Sequence, residues 1–96
     1  MTQKTTTASA EVLALQVLGW IATDDDQMGD FLQASGAAPA DVAHLAQDAT
    51  FLGSVLDHLL ADEARLIAFC DATGTPYQAP LGARAALPGG DLPHWT

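Results

Sequence analysis

Along this chain, apolar residues recur every three to four positions in short segments separated by Asp, Gly and Pro, and nowhere do they alternate as in a half-buried strand. The first segment, Ala10 to Ala22, sets Leu13, Val17, Trp20 and Ile21 at helical spacing, while Val12, Leu15 and Leu18 occupy much of the remaining circumference. A helix apolar on so much of its surface is central to a fold or shared with another chain. Thr7 or Ser9 is its expected cap, with Glu11 in the first turn near the positive end of the helix dipole. Asp24, with Gln27 three residues on, has the form of a capping box for a second helix that buries Met28, Phe31 and Leu32 and stops at Gly36. Pro39 opens a third helix to Gln47, with Val42, Leu45 and Ala46 on one face.

The fourth helix has the most regular pattern. Asp48 caps it, and Phe51, Leu52, Val55, Leu56, Leu59 and Leu60 form a stripe opposite Ser54, Asp57 and His58. Asp62 caps a fifth helix through Leu66, Ile67, Phe69 and Cys70, which Gly74 ends before Pro76. Pro80 to Leu87 reads as a short sixth helix, stopped by Pro88, Gly89 and Gly90. The expected fold is all-α, a compact bundle of five to six short helices. It divides into a disordered polar arm over 1–8, a helical domain over 9–87 and a C-terminal tail over 88–96.

Shifting the chain by 38 positions aligns Val17–Gly36 with Val55–Gly74 without a gap. Val17/Val55, Leu18/Leu56, Asp24/Asp62, Phe31/Phe69, Ala34/Ala72 and Gly36/Gly74 are identical, against roughly two identities by chance for this composition. Two readings follow: a pair of similar helical hairpins bridged by the third helix, or two hairpins that merely obey the same rules of capping and termination.

Composition narrows the range of functions. The 96 residues are 49% hydrophobic and 16% charged, enough for one core without metals or crosslinks. Asp and Glu number 12 against 3 Lys and Arg, for a net charge of -9. Each phosphate contact normally uses a cation, so nucleic acid is an unexpected partner, as is an anionic membrane surface. The longest nearly apolar run, Val12 to Ala22, is about half of what a membrane span needs. A single cysteine, Cys70, in an apolar helical pattern fits a buried thiol in a reducing cytoplasm, and the Thr-rich start has no apolar signal core.

Candidate chemistry is sparse. His44 precedes Asp48 by four residues and His58 precedes Asp62 by four, a spacing that puts two metal ligands on one face within a single helix. Both Asp residues are already accounted for as caps of the following helices. Asp24, Asp26 and Gly29 echo a calcium loop, but Met28 and Ser35 fall where carboxylate ligands belong. Ser54, Asp57 and His58 invite comparison with a triad, yet adjacent helix residues diverge by about 100 degrees, which leaves Asp57 badly placed to orient His58. No catalytic, cofactor-binding or metal site is assigned. The residues available for a partner are Asp24, Asp25, Asp26 and Asp30, which would steer a basic surface, and Trp95, which lies outside any helix and either packs back or is offered outward.

The order Ala-rich start through Leu18, Phe31-Leu32 to Gly36, Pro39-x-Asp41, Phe51-Leu52 to Leu60, Asp62-Glu63 and Leu87-Pro88-Gly89-Gly90 resembles a family of short bacterial proteins catalogued as domain of unknown function 3572. The resemblance spans nearly the whole chain. It implies a free-standing small helical protein and carries over no functional residue. The leading expectation is a cytoplasmic, non-enzymatic interaction or regulatory module with an unknown protein partner, helix one or helix four supplying the apolar contact. A homodimer through helix one is compatible with it. The alternative is a small-ligand or metal-binding protein using His44, His58 and nearby carboxylates.

Overall fold

The four longest helices of this chain begin where a side-chain oxygen takes up orphaned backbone N–H groups, and the two hairpins they form end where a glycine turns left-handed. The computed structural model of the protein describes residues 6–88. Among them lie six α-helices and one 3-10 turn: α1 (Thr7–Ala22), α2 (Asp25–Ser35), the 3-10 turn Pro39–Asp41, α3 (Val42–Leu45), α4 (Ala49–Leu60), α5 (Glu63–Thr73) and α6 (Ala79–Ala85). No strand occurs among the described residues.

Three boundaries differ from expectation. Helix one starts at Thr7 rather than Ala10, because Thr6 and Ser9 cap it reciprocally: Ser9 N–H donates to Thr6 Oγ1 at 3.1 Å, and Thr6 N–H donates to Ser9 Oγ at 2.9 Å. Glu11 consequently lies beyond the first turn. The third helix is a 3-10 turn followed by a single α-turn, since neither N-cap residue, Ala38 or Asp41, makes a side-chain capping bond and neither element has a buried residue to hold a longer helix. The sixth is Ala79–Ala85, starting one residue and ending two residues earlier than expected, with Leu87 buried just past its end. Leu32, expected in the core, is only half-buried; Phe31 is the one fully buried residue of α2, with Met28 packed partly buried against the same cluster.

The core is built around α1 and α4. Ala10, Ala14, Val17 and Ile21 on α1 join Leu52, Val55, Leu56 and Leu59 on α4, with Phe31 from α2, Phe69 and Cys70 from α5 and Ala83 from α6 in the same cluster. Alanines at two inner positions of α1 allow neighbouring backbones to approach closely, and α6 packs against both α1 and α4. Helix four is thus the centre of the fold. Its apolar stripe is spent on the core, which removes it as a contact surface for a partner.

The two hairpins, α1–α2 and α4–α5, match in detail. Asp24 accepts from the N–H groups of Asp26 at 2.9 Å and Gln27 at 3.3 Å; Asp62 accepts from those of Ala64 at 3.0 Å and Arg65 at 3.3 Å. Each second helix has 11 residues and ends on a left-handed glycine, Gly36 at φ 76° and Gly74 at φ 71°. They also pack crosswise. Phe69 of the second hairpin meets Trp20 of the first edge-on, with ring centroids 5.6 Å apart, and Phe31 of the first meets His58 of the second edge-on at 5.3 Å. Trp20 and His58 are 38 residues apart, as are Phe31 and Phe69, so each hairpin sets its Phe against the same position of the other.

One ion pair ties α6 to this frame. Arg84 grips the Asp57 carboxylate with Nε to Oδ1 at 2.6 Å and Nη2 to Oδ2 at 3.2 Å, while Nη1 donates to the Pro88 carbonyl at 2.9 Å. The guanidinium lies over the backbone of Gly53, where a Cβ would come within 2.9 Å of Arg84 Nη1. Gly29, by contrast, faces open space. Replacing Gly29 by Ala is expected to stabilise the fold by about 0.5–1 kcal/mol. Gly53→Ala should fall clearly short of that gain and recover it in an Arg84→Ala background, a coupling readable from urea unfolding of the four proteins in the cycle.

Candidate functional site

The four carboxylates expected to face a partner lie at the start of α2. Asp24 is the N-cap, Asp25 and Asp26 occupy the first turn, and Asp30 follows one turn later; all four are exposed. Both arginines among the described residues are committed elsewhere, Arg84 to Asp57 and Arg65 to the His58 carbonyl at 2.6 Å and the Asp62 carboxylate at 3.7 Å. The only ion pairs among the described residues are these two. Trp95, the fifth candidate, falls outside the described residues.

The two His–Asp pairs do not share a helix. His44 is on α3 and Asp48 caps α4; His58 is on α4 and Asp62 caps α5. Among the described residues no three His, Cys, Asp or Glu side chains converge in a way that could hold a metal ion. The Ser54, Asp57 and His58 set is likewise divided: the Ser54 hydroxyl donates to the Phe51 carbonyl at 2.6 Å, and Asp57 serves Arg84. Cys70 is buried, its thiol 3.7 Å from the Pro76 carbonyl, and burial together with Asp71 pushes its pKa up, away from thiolate chemistry.

Two surface features remain. The first is an open cavity of about 290 Å³ between α2 and α4, lined by Phe31, Ala34, Ser35, Ser54, Asp57, His58 and Ala61. Its position follows from the crosswise packing. Where the first hairpin lays the Trp20 indole against Phe69, the second sets the smaller imidazole of His58 against Phe31, whose ring also meets Phe51 edge-on at 5.6 Å, and the cavity lies beside the imidazole. The His58 Nε2 atom is buried with no hydrogen-bond partner among the described residues. Burial lowers the His58 pKa below its ordinary 6.5, as does the neighbouring Arg65 charge, while Asp30 and Asp62 pull weakly the other way. The imidazole is therefore neutral at pH 7. Sequence reasoning singled out His58 as a ligand and missed the cavity, although the pairing of Trp20 with His58 at the 38-residue shift carried the signal.

The second feature is the outer face of α1. Val12 is 55% and Leu15 45% exposed, and Ala8 and Gly19 extend the same stripe, each of them exposed. The corresponding face of α4 is covered: Gly53, which matches Leu15 at a shift of 38, lies under Arg84 of α6. No described element covers α1 in the same way. Among the described residues no helix is long and apolar enough to cross a membrane.

The family model described as "Protein of unknown function (DUF3572)" matches residues 7–90, and the chain belongs to that family. No curated protein and no solved structure matches it.

The buried, unpaired Nε2 has a measurable consequence. Because the folded-state pKa of His58 lies below the unfolded value of 6.5, the unfolded chain takes up the proton first. The stability associated with the neutral ring is complete above the unfolded value and is lost as pH falls through it toward the folded value. Urea unfolding should show a decline between about pH 7 and pH 5 that His58→Phe flattens. The same substitution removes an unsatisfied polar atom and should raise stability at pH 7 by roughly 1 kcal/mol.

Proposed function

We propose that this DUF3572 protein is a non-enzymatic interaction module whose contact surface is the outer face of α1, with the α2 carboxylates beside it. The observation that supports the reading is a pair of large aliphatic side chains, Val12 and Leu15, left exposed on a helix whose opposite face is wholly committed to the core. Directly after α1, Asp24, Asp25, Asp26 and Asp30 concentrate negative charge that the two described arginines do not neutralise. An apolar patch bordered by charge of one sign gives affinity from the first and orientation from the second. The buried, unreactive thiol of Cys70 is consistent with work in a reducing cytoplasm.

The ligand-binding reading has one observation in its favour, the cavity beside His58 with its unpaired ring nitrogen. His44 is exposed on α3 and is not part of the lining, so that reading narrows to His58 alone. Native mass spectrometry of the wild type and His58→Ala separates it from the first: a stoichiometric adduct lost in the variant would support it.

The interaction reading is tested by comparing three baits at matched concentration: the wild type, Leu15→Glu, and a variant with Asp25, Asp26 and Asp30 changed to Asn. For a specific partner identified by mass, Leu15→Glu should reduce recovery at least tenfold, equivalent to about 1.4 kcal/mol. The Asn variant should retain the partner while losing the dependence of association rate on salt. Equal recovery on wild type and Leu15→Glu would reject the α1 face as the contact surface.

A further inference from the structure

The exposed stripe of α1 has an order that matches itself when reversed. Ala8, Val12, Leu15 and Gly19 are spaced four, three and four residues apart, the spacing of a seam along which two helices interlock side chains. A two-fold axis passing between Leu13 and Ala14 and setting two copies of the helix antiparallel brings Val12 opposite Leu15 of the second copy and Ala8 opposite Gly19. The larger side chains then meet at the centre, and the smaller ones lie on both sides, where the backbones can approach. We propose that this face is the interface of an antiparallel homodimer. The assignment rests on the interaction reading and names its partner as a second copy of the chain.

Charge does not select the second copy, but it sets the direction in which two copies can meet. The protein carries a net charge of -9, so two copies repel unless they meet where carboxylates are few. Among the 16 residues of α1 only Glu11 is charged, and it lies at the edge of the stripe. In a parallel pair the Asp24–Asp26 clusters would be set side by side. The antiparallel pair places them at opposite ends, about 30 Å apart at 1.5 Å per residue, well beyond a screening length of about 8 Å. Antiparallel helix dipoles add a favourable term of the same sign. The fold itself leaves the space: α6 covers the matching face of α4 at Gly53, and no described element does so at Leu15.

Four residues of one helix bury less than the roughly 800 Å² per partner of a standard interface, so the dimer is weak. Sedimentation of the full chain should move from monomer to dimer mass across roughly 1 µM to 1 mM. Leu15→Glu should hold it at monomer mass with unchanged circular dichroism, because Leu15 is outside the core. Gly19→Leu distinguishes this interface from a merely sticky patch: it adds apolar surface and helix propensity, yet should weaken the dimer at least tenfold by holding the backbones apart. Direction is read by oxidation. Ala8→Cys mixed with Gly19→Cys should give a crosslinked dimer, while each alone should not, since like positions lie about 16 Å apart along an antiparallel pair.

A single monomer mass at every concentration overturns the proposal, as does efficient self-linking of Gly19→Cys, which requires a parallel pair. If the chain stays monomeric and Leu15→Glu still abolishes capture of another protein, the second-copy assignment falls and the interaction reading stands. If neither dimer nor Leu15-dependent partner is found, both fall.

Discussion

Packing of the two hairpins rests on a crossed pair of edge-on ring contacts, Phe69 against Trp20 and Phe31 against His58. Each ring reaches from the second helix of one hairpin to the first helix of the other, so neither hairpin can bury its own Phe without its counterpart. That requirement brings α1 and α4 together at the centre, where Val17, Ile21, Val55, Leu56 and Leu59 are all shielded from water. Fully burying aliphatic side chains of this kind contributes about 1.5–3 kcal/mol each before chain entropy is counted, and the aromatic pairs add directionality that aliphatic contacts lack.

The cavity and the bare face of α1 both arise at points where the two halves differ. His58 in place of Trp20 opens the cavity beside Phe31. Gly53 in place of Leu15 lets the Arg84 guanidinium lie on α4 and draw α6 across it, and the face of α1 that keeps Leu15 stays bare. Both features come from a single residue in one half whose counterpart in the other has a different bulk. The bare face holds aliphatic side chains, while the cavity sets Phe31 and a neutral imidazole beside Ser35, Ser54 and the Asp57 carboxylate.

Much of the helix layout was readable from local rules, because Asp24, Asp48 and Asp62 each cap a helix and Gly36 and Gly74 each end one, signals that act over three or four residues. Boundaries slipped where two competing caps were close, as with Thr6, Thr7 and Ser9, or where nothing buried extends the helix, as after Pro39. Reading α4 as a surface for partners failed for a different reason. Periodicity reports that a stripe is apolar and is silent on whether the chain itself covers it, and α4 and α1 looked equally available. Which face stayed open was decided by contacts distant in sequence, Arg84 reaching back 27 residues to Asp57, and pattern reading has no access to those. The His44 and His58 pairs illustrate the same limit, since a spacing of four places ligands together only when one helix carries both.

The crossed packing is tested most directly by two double-mutant cycles, Trp20→Ala with Phe69→Ala and His58→Ala with Phe31→Leu, each followed by urea unfolding at pH 7. Contact between the rings predicts a coupling energy of about 0.5–1.5 kcal/mol in both cycles. Additive effects in either cycle would mean that the rings act separately, and the crosswise arrangement of the hairpins would be contradicted.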